Sequence, residues 1–360
     1  MSLFCHLRSQ IDLELSGRVQ KVAISTLEAV AIAGVSKDIQ RVPMDLIGFS
    51  KDLVMKTIAL TGATGFIGRH LMSELSKRGY KIRVLLRRPV QFPLNCDSAV
   101  IGDLARPQNL AAAFSDVDAV VHSAGIAHAM SGVPTDDYRA VNTDGTITLA
   151  RAAARAGSRR FVFLSSIRAQ TGPSSDVTLN EDFEARPTDD YGRSKLAAEQ
   201  ELAKSDYDWV SLRPVLVYGP GVKGNMAALA ALARSRYPLP LGHLKAKRSL
   251  LAVDNLADAV AHVLAAPEPL RRPFIVADPQ ALTVSEMIGA MRSAIGRQPG
   301  LIPVPEWLLK LVLRVTNRRD WIDRLCSPLV VSTSALQRLG WSPRVDTRTG
   351  LAALMRTDLV

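Results

Sequence analysis

Tyr191 and Lys195 stand four residues apart in Tyr191-Gly-Arg-Ser-Lys195. On a helix that spacing puts both side chains on one face. A free phenol has a pKa of about 10 and is a poor base at neutral pH. A neighbouring ammonium is expected to lower that pKa by stabilising the phenolate. Ser166 follows an apolar strand, Arg160–Leu164, and its hydroxyl could orient a substrate alcohol or carbonyl. Together the three residues could move a proton on oxygen while a hydride moves on carbon. The Tyr-x-x-x-Lys spacing alone is common by chance, so the weight falls on what surrounds it.

Upstream lies Thr61-Gly-Ala-Thr-Gly-Phe-Ile-Gly68, placed where an apolar strand turns into a helix. Gly62 suits the tight turn, Gly65 lets the backbone approach a pyrophosphate, and Gly68 lets the helix pack on the sheet. Ala63, Thr64, Phe66 and Ile67 complete the loop and the first helical turn, whose free N–H groups attract phosphate. A glycine triplet is weak alone; the flanking strand and helix supply the confirming context. The second strand ends Leu85-Leu86-Arg87-Arg88, without the carboxylate that would hold a ribose 2′-hydroxyl. Guanidinium groups there pair with a 2′-phosphate. NADP(H) is therefore the expected cofactor, with NAD(H) as the alternative.

The elements around these motifs alternate. Strands are expected at Lys56–Leu60, Lys81–Leu86, Ser98–Ile101, Ala119–His122, Arg160–Leu164 and Trp209–Leu212. Helices are expected to carry Ile67, Leu71 and Leu75 on one face, and at Gly145–Ala156 and Tyr191–Lys204. The strands are short continuous apolar runs, which implies a parallel sheet buried on both faces. The fold class is α/β: a Rossmann-type, doubly wound parallel sheet with a smaller, mostly helical C-terminal substrate lobe. Residues 55–220 form the cofactor domain in this reading, and 221–360 form mainly the lobe, with segments returning to the sheet. In the lobe, helices are expected at Ser285–Ile295, with Thr283 and Glu286 as a capping box, at Glu306–Val315 and at Ser334–Leu339. Residues 1–54 read as an extension, either an accessory or disordered segment or the product of an upstream start codon.

Composition excludes several classes. Net charge is +11, which favours anionic partners, but aromatics are only 5% and no basic tract is interleaved with them, so nucleic acid is not expected. Cys5, Cys96 and Cys326 form no Cys-x-x-Cys pair, and no metal site is expected. There is no run of 18 apolar residues and no secretory signal, so a cytoplasmic protein without stable membrane insertion is expected. Glu306–Val315 is unusually apolar and is followed by Arg318 and Arg319; it could touch a membrane or a partner, but packing into the lobe is the expectation.

Residues 55 to about 356 resemble the extended short-chain dehydrogenase/reductase family, in particular its nucleotide-sugar epimerase/dehydratase branch. The resemblance rests on the order of the glycine loop, Asp103-Leu104, His122-x-Ala124-Gly125, Asn142, Ser165-Ser166 and Tyr191-x-x-x-Lys195. It implies that Asp103 and Leu104 border the adenine and that Ala124, Gly125 and Ser165 line the cofactor. It also implies that Tyr191 and Lys195 touch the nicotinamide ribose and that Pro214 passes the nicotinamide. Asn142 matches the asparagine that supports the active-site helix; Ser166, Tyr191 and Lys195 match the catalytic triad. Asn225 and Arg248 match contacts to a nucleotide diphosphate, and a lone Arg before a buried strand could serve as a bidentate phosphate anchor. Relatives often pair as homodimers.

Departures narrow the reaction. Ser166 is followed by Ile167-Arg168 where 4,6-dehydratases carry an acidic pair, so elimination is disfavoured. Arg168 faces either the substrate or solvent. Leu216 replaces an asparagine frequent among relatives acting on UDP-hexoses. The leading expectation is a 4-epimerase or 4-keto reductase acting on a nucleotide-activated sugar. The alternatives are an NADPH-dependent reductase of a non-sugar carbonyl compound, of the dihydroflavonol-reductase or hydroxysteroid-dehydrogenase type, and a non-catalytic NAD(P)-binding subunit.

Overall fold

The computed structural model describes residues 56–90, 96–127, 132–315 and 325–357. The extension 1–54, Met55 and the arginines after Val315 lie outside the described residues. In chain order come β1 (Thr57–Thr61), α1 (Phe66–Lys77), β2 (Lys81–Leu86), β3 (Asp97–Val100), α2 (Leu110–Ala113) and β4 (Ala119–His122). The short α3 (Thr135–Tyr138) runs through a π-helical turn, Arg139–Asp144, into α4 (Gly145–Arg155). Next come β5 (Arg160–Leu164), α5 (Asp190–Ala203), β6 (Trp209–Pro214), β7 (Leu216–Tyr218) and α6 (Asn225–Arg234). The chain continues through β8 (Lys247–Arg248), β9 (Leu250–Ala252), α7 (Val253–Ala265), β10 (Arg272–Val276), β11 (Leu282–Thr283) and α8 (Val284–Ala294). It ends with α9 (Glu306–Val315), α10 (Ser334–Arg338) and α11 (Thr347–Thr357).

Seven strands form one sheet in the order β10-β6-β5-β4-β1-β2-β3, and every pair in it is parallel. The order reverses between β1 and β4, the switch point at which a doubly wound sheet opens a crevice for ligands. Successive strand residues serve opposite faces. Ile58, Leu60, Val162 and Leu164 join Leu71 and Leu75 of α1 and Leu256 and Val260 of α7 in one core. Ala59, Phe161 and Phe163 join Leu149 of α4 and Ala198 and Leu202 of α5 in another. Each fully buried Leu or Phe contributes about 1.5–3 kcal/mol, which is why these strands read as unbroken apolar runs.

A third core lies outside the sheet. Met226 and Ala230 of α6, Met287, Ile288 and Met291 of α8, and Leu351, Leu354 and Met355 of α11 fill it. The capping box at α8 is formed: Glu286 N donates to Thr283 Oγ1 at 3.1 Å and Thr283 N to Glu286 Oε2 at 2.8 Å. Helix α7, unrecognised in the sequence, returns to pack on β5 and β6; its nearly uniform small and apolar residues blur the helical period.

One buried ion pair fixes α5 to the sheet. Arg213 of β6 donates from Nε to both Glu199 oxygens at 3.1 Å and from Nη2 to Oε2 at 2.5 Å, while Ser211 Oγ donates to Oε1 at 2.8 Å. Arg213 and Glu199 are 5% and 4% exposed, so neither charge has water to fall back on. Replacing Glu199 with Leu leaves Arg213 buried and unpaired and is expected to lower unfolding free energy by about 3–5 kcal/mol. Urea unfolding measures the loss, and the double variant Glu199→Leu, Arg213→Met should recover most of it.

Candidate active site

Helix α5 starts at Asp189, whose Oδ1 accepts from Gly192 N at 2.7 Å. A Cβ on Gly192 would lie 2.2 Å from Arg168 O, so glycine lets the helix settle against the turn after β5. That contact brings Tyr191 beside Ser166, and their hydroxyls share a hydrogen bond. One turn on, Lys195 is 5% exposed and its Nζ donates to Leu164 O, the last carbonyl of β5, at 2.9 Å. The amine stands 4.6 Å from the Phe163 ring centroid and 6.0 Å from that of Tyr191. The three side chains expected from spacing are thus brought together at the carboxyl edge of the sheet.

The electrostatics differ from the sequence expectation. Burial pushes the Tyr191 phenol up to about 12; the Ser166 hydrogen bond works against this, and the Asp189 charge adds to it. The expected drop is absent because desolvation dominates and the lowering influences, the Ser166 hydrogen bond and the Arg168 charge, are smaller. Burial also brings the Lys195 amine down to about 8, with the Glu199 charge acting the other way.

Asn142 is 1% exposed and sits in the π-helical turn, whose extra residue turns it inward. Its Oδ1 accepts from Ile126 N at 2.8 Å, and its Nδ2 donates to Ile126 O and Ser194 Oγ, both at 3.1 Å. Ser194 lies between Tyr191 and Lys195, so Asn142 is a positioning residue for both. Behind it runs a buried chain through residues that motif reading did not single out. Thr61 Oγ1 accepts from Ser123 N and Ala124 N at 3.1 Å. With both lone pairs used, it donates to His122 Nδ1 at 2.7 Å. His122 Nε2 then donates to Thr146 Oγ1 at 3.0 Å, and Thr146 Oγ1 donates to Asn142 O at 2.7 Å. Burial, reinforced by the Lys195 charge, brings His122 down to about 3, so the neutral ring carries this order. The chain joins the end of β1 to Asn142. The visible signal was His122 itself, inside the quoted His-x-Ala-Gly.

A cleft of about 1060 Å³ opens at the switch point. Gly62, Ala63, Thr64, Arg87, Arg88, Asp103, Leu104, Ala124 and Gly125, all anticipated, line it, as do Gly102, Ile126 and Val141, which were not. Gly62 has φ of 75°, and a Cβ on Gly68 would lie 2.0 Å from Gly62 O. The loop therefore closes tightly over the start of α1. That helix begins at Gly65, Phe66 and Ile67 with no side-chain cap on its first N–H groups. Ser165 Oγ is buried with no hydrogen-bond partner among the described residues, and Pro214 closes β6 close by in the sheet. A glycine cradle, uncapped helical N–H groups and an orphaned hydroxyl beside the reacting residues fit a dinucleotide.

Arg168 faces neither open solvent nor a vacant surface. Its guanidinium pairs with the Asp189 carboxylate, its Nε is buried without a partner among the described residues, and its backbone N donates to Ser166 Oγ at 3.1 Å. Arg248 donates from Nη1 to Ser327 O at 2.6 Å and from Nη2 to Pro173 O at 3.0 Å. Its fork thus ties two segments together as well as standing before β9. Asn225 opens α6 behind Gly224, and Leu216 is 42% exposed on β7.

The profile of the NAD dependent epimerase/dehydratase family matches residues 58–277. UDP-glucose 4-epimerase of Vibrio cholerae is 34% identical over 308 residues, which cover 82% of this chain and 93% of that protein. Ceramide reductase of Caulobacter vibrioides is 30% identical over 255 residues, covering 69% and 74%. Among solved structures, MoeE5 in complex with UDP-glucose and NAD superposes with a TM-score of 0.67 and 25% identity, covering 84% of this chain and 98% of that one.

The lowered Lys195 pKa sets a pH dependence. Lys195 offers its charge only below about 8, so kcat/KM is expected to fall on the alkaline side with a limb near that value. Lys195→Arg, whose guanidinium stays charged, should move the limb upward even as the maximum rate drops. The stability sign is opposite. Below pH 8 both folded and unfolded states hold the proton, and the cost of burying the ammonium is present in full. Between about 8 and the ordinary lysine value of 10.5 the unfolded state holds more protons, so thermal stability from this group rises with pH.

Proposed function

Because the chain belongs to the NAD dependent epimerase/dehydratase family, we propose that it acts at C4 of a nucleotide-activated hexose, either oxidising and re-reducing it as a 4-epimerase or reducing a 4-keto group as a 4-keto reductase. It is an NAD(P)-dependent enzyme, and both catalytic side chains are retained, so the non-catalytic alternative falls away. The observation that carries the reading is the Ser166–Tyr191 hydrogen bond set over the buried Lys195 amine at the edge of the cleft. The likeness to a UDP-glucose 4-epimerase along nearly its whole length supports the sugar.

A nicotinamide held by the glycine loop and Lys195 would supply the hydride acceptor for oxidation at C4 and the hydride donor for reduction. Tyr191 receives the proton from the substrate hydroxyl as the C–H bond breaks and gives it back on reduction. Burial keeps Tyr191 a phenol at neutral pH, so it is set to give its proton in reduction, and it can take the substrate hydroxyl proton in oxidation only after releasing its own. Ser166 hydrogen-bonds the same substrate oxygen, and Lys195 stabilises negative charge on Tyr191 while holding the cofactor ribose. Gly62 to Gly68 hold the pyrophosphate, and Asp103 and Leu104 border the adenine. Asn225 and Arg248 are assigned to the substrate, Arg248 at the diphosphate while bridging Ser327 and Pro173, whereas Arg168, tied to Asp189, braces the Ser166 turn instead of reaching the substrate.

A second reading has its own support. The carboxyl end of β2 lacks a carboxylate, and the chain is similar to a ceramide reductase. Both favour a net NADPH-dependent reduction of a non-sugar carbonyl compound. Mass spectrometry of the purified protein with a panel of nucleotide sugars and both cofactors separates the readings. An isomer formed without net cofactor change is expected of an epimerase, and stoichiometric NADPH consumption of a 4-keto reductase. No reaction with any member would overturn the sugar reading in favour of the second.

For the cofactor, we propose NADP(H) over NAD(H). Arg87 and Arg88 line the cleft. Arg87 Nη2 lies 2.6 Å from Asp103 Oδ2, with the two side chains 78% and 44% exposed. A pair so exposed holds itself together by about 1 kcal/mol at most, so a 2′-phosphate can displace or share it. Arg87→Ala, Arg88→Ala is expected to raise KM for NADP+ by about tenfold or more while changing KM for NAD+ little. Equal use of the two cofactors by the parent would refute the preference.

A further inference from the structure

Helix α9 carries an apolar stripe that the described residues of the lobe leave exposed. Trp307, Leu308, Leu311, Val312 and Val315 are 68%, 38%, 49%, 49% and 78% exposed. At helical spacing they fill an arc of about 140°. Leu309 and Leu313, on the other side, pack against the third core. The expectation that this helix is packed into the lobe therefore holds for two residues and fails for five. Tyr237 and Ile302, also exposed, lie on two segments joined by Ile302 N donating to Leu239 O at 2.8 Å.

The border of the stripe is cationic, and so are the stretches that share the third core with α9. Lys310 and Arg314 lie along one border of the stripe, and Glu306 beside them is paired to Lys310 at 2.6 Å. No Asp or Glu occurs between Asp208 and Asp254, or between Glu286 and Glu306. Exposed Arg236, Lys245, Lys247 and Arg297 come from these two stretches. A second copy of the same face would set cations against cations around the stripe. An anionic surface with an apolar interior matches both parts. A ten-residue helix is about 15 Å long and is too short to cross a hydrocarbon core of about 30 Å, but it can lie in the interface plane.

We propose that this end of the lobe docks on an anionic phospholipid bilayer, with the α9 stripe at the acyl boundary and the surrounding Lys and Arg side chains on headgroup phosphates. The docking does not depend on which substrate the active site takes. Co-sedimentation of the full-length protein with phosphatidylcholine vesicles, with and without about one-third phosphatidylglycerol, tests it. The parent is expected to bind the anionic vesicles at least about tenfold more tightly than the neutral ones, and more weakly as salt rises. The Trp307→Ser, Leu311→Ser, Val315→Ser variant should lose about tenfold in anionic binding while keeping its melting temperature and its NADP(H) affinity. A parent that ignores anionic vesicles, or a variant that binds them equally well, overturns the proposal. So does a parent that binds no vesicles but is a dimer made monomeric by the substitutions, which would assign the stripe to a second copy.

Discussion

The structure turns on keeping the Lys195 amine out of water. A buried ammonium loses its hydration, and a single carbonyl, Leu164 O at 2.9 Å, replaces only part of it. Its pKa drops to about 8 in consequence. The fold must then hold the amine within reach of Tyr191 while the helix carrying both is pressed against the sheet. Gly192, with no side chain against Arg168 O, permits the approach. The Glu199–Arg213 pair holds the next turn, so that one helix face carries Tyr191 and Lys195 and, further along, their clamp.

The clamp is polar where an apolar one would serve stability as well. Glu199, Arg213, Ser211 and Gln170 satisfy one another, which fixes the register of α5 against β6 more sharply than interchangeable Leu contacts would. The opposite side is held similarly. Asn142 brackets Ile126 and Ser194, and His122 relays its neutral hydrogen bonds from Thr61 to Thr146. The glycine loop and helix α5 therefore meet through fully buried hydrogen bonds, in which a misplaced group leaves an unsatisfied donor or acceptor.

Much of the sheet was legible because its strands are buried on both faces and stand out as apolar runs. Ala119–His122 and Arg160–Leu164 lie where they were expected, and helix ends differ by one residue or so, as at Asp190–Ala203. Helix α9 was found at its expected limits, Glu306–Val315, because its apolar spacing is regular. Helix α7 was not, because a helix buried almost all round has no polar face to show a period. The π-helical turn at Arg139–Asp144 left no mark, since one inserted residue is invisible without the contacts that stabilise it.

The candidate site divides in the same way. Residue type and spacing alone determined that Ser166, Tyr191 and Lys195 could exchange a proton beside a dinucleotide loop, because those groups are chemically rare in that order and the helical repeat places them together. Tertiary structure decided their acidity. Burial raises Tyr191 and lowers Lys195, against the simple expectation from an adjacent ammonium, because desolvation depends on every element packed around the pair. It also decided that Arg168 is tied to Asp189, that Arg248 spans two carbonyls, and that the stripe on α9 faces outward. A sequence carries the period of an apolar face, but only the packed chain determines whether that face is covered.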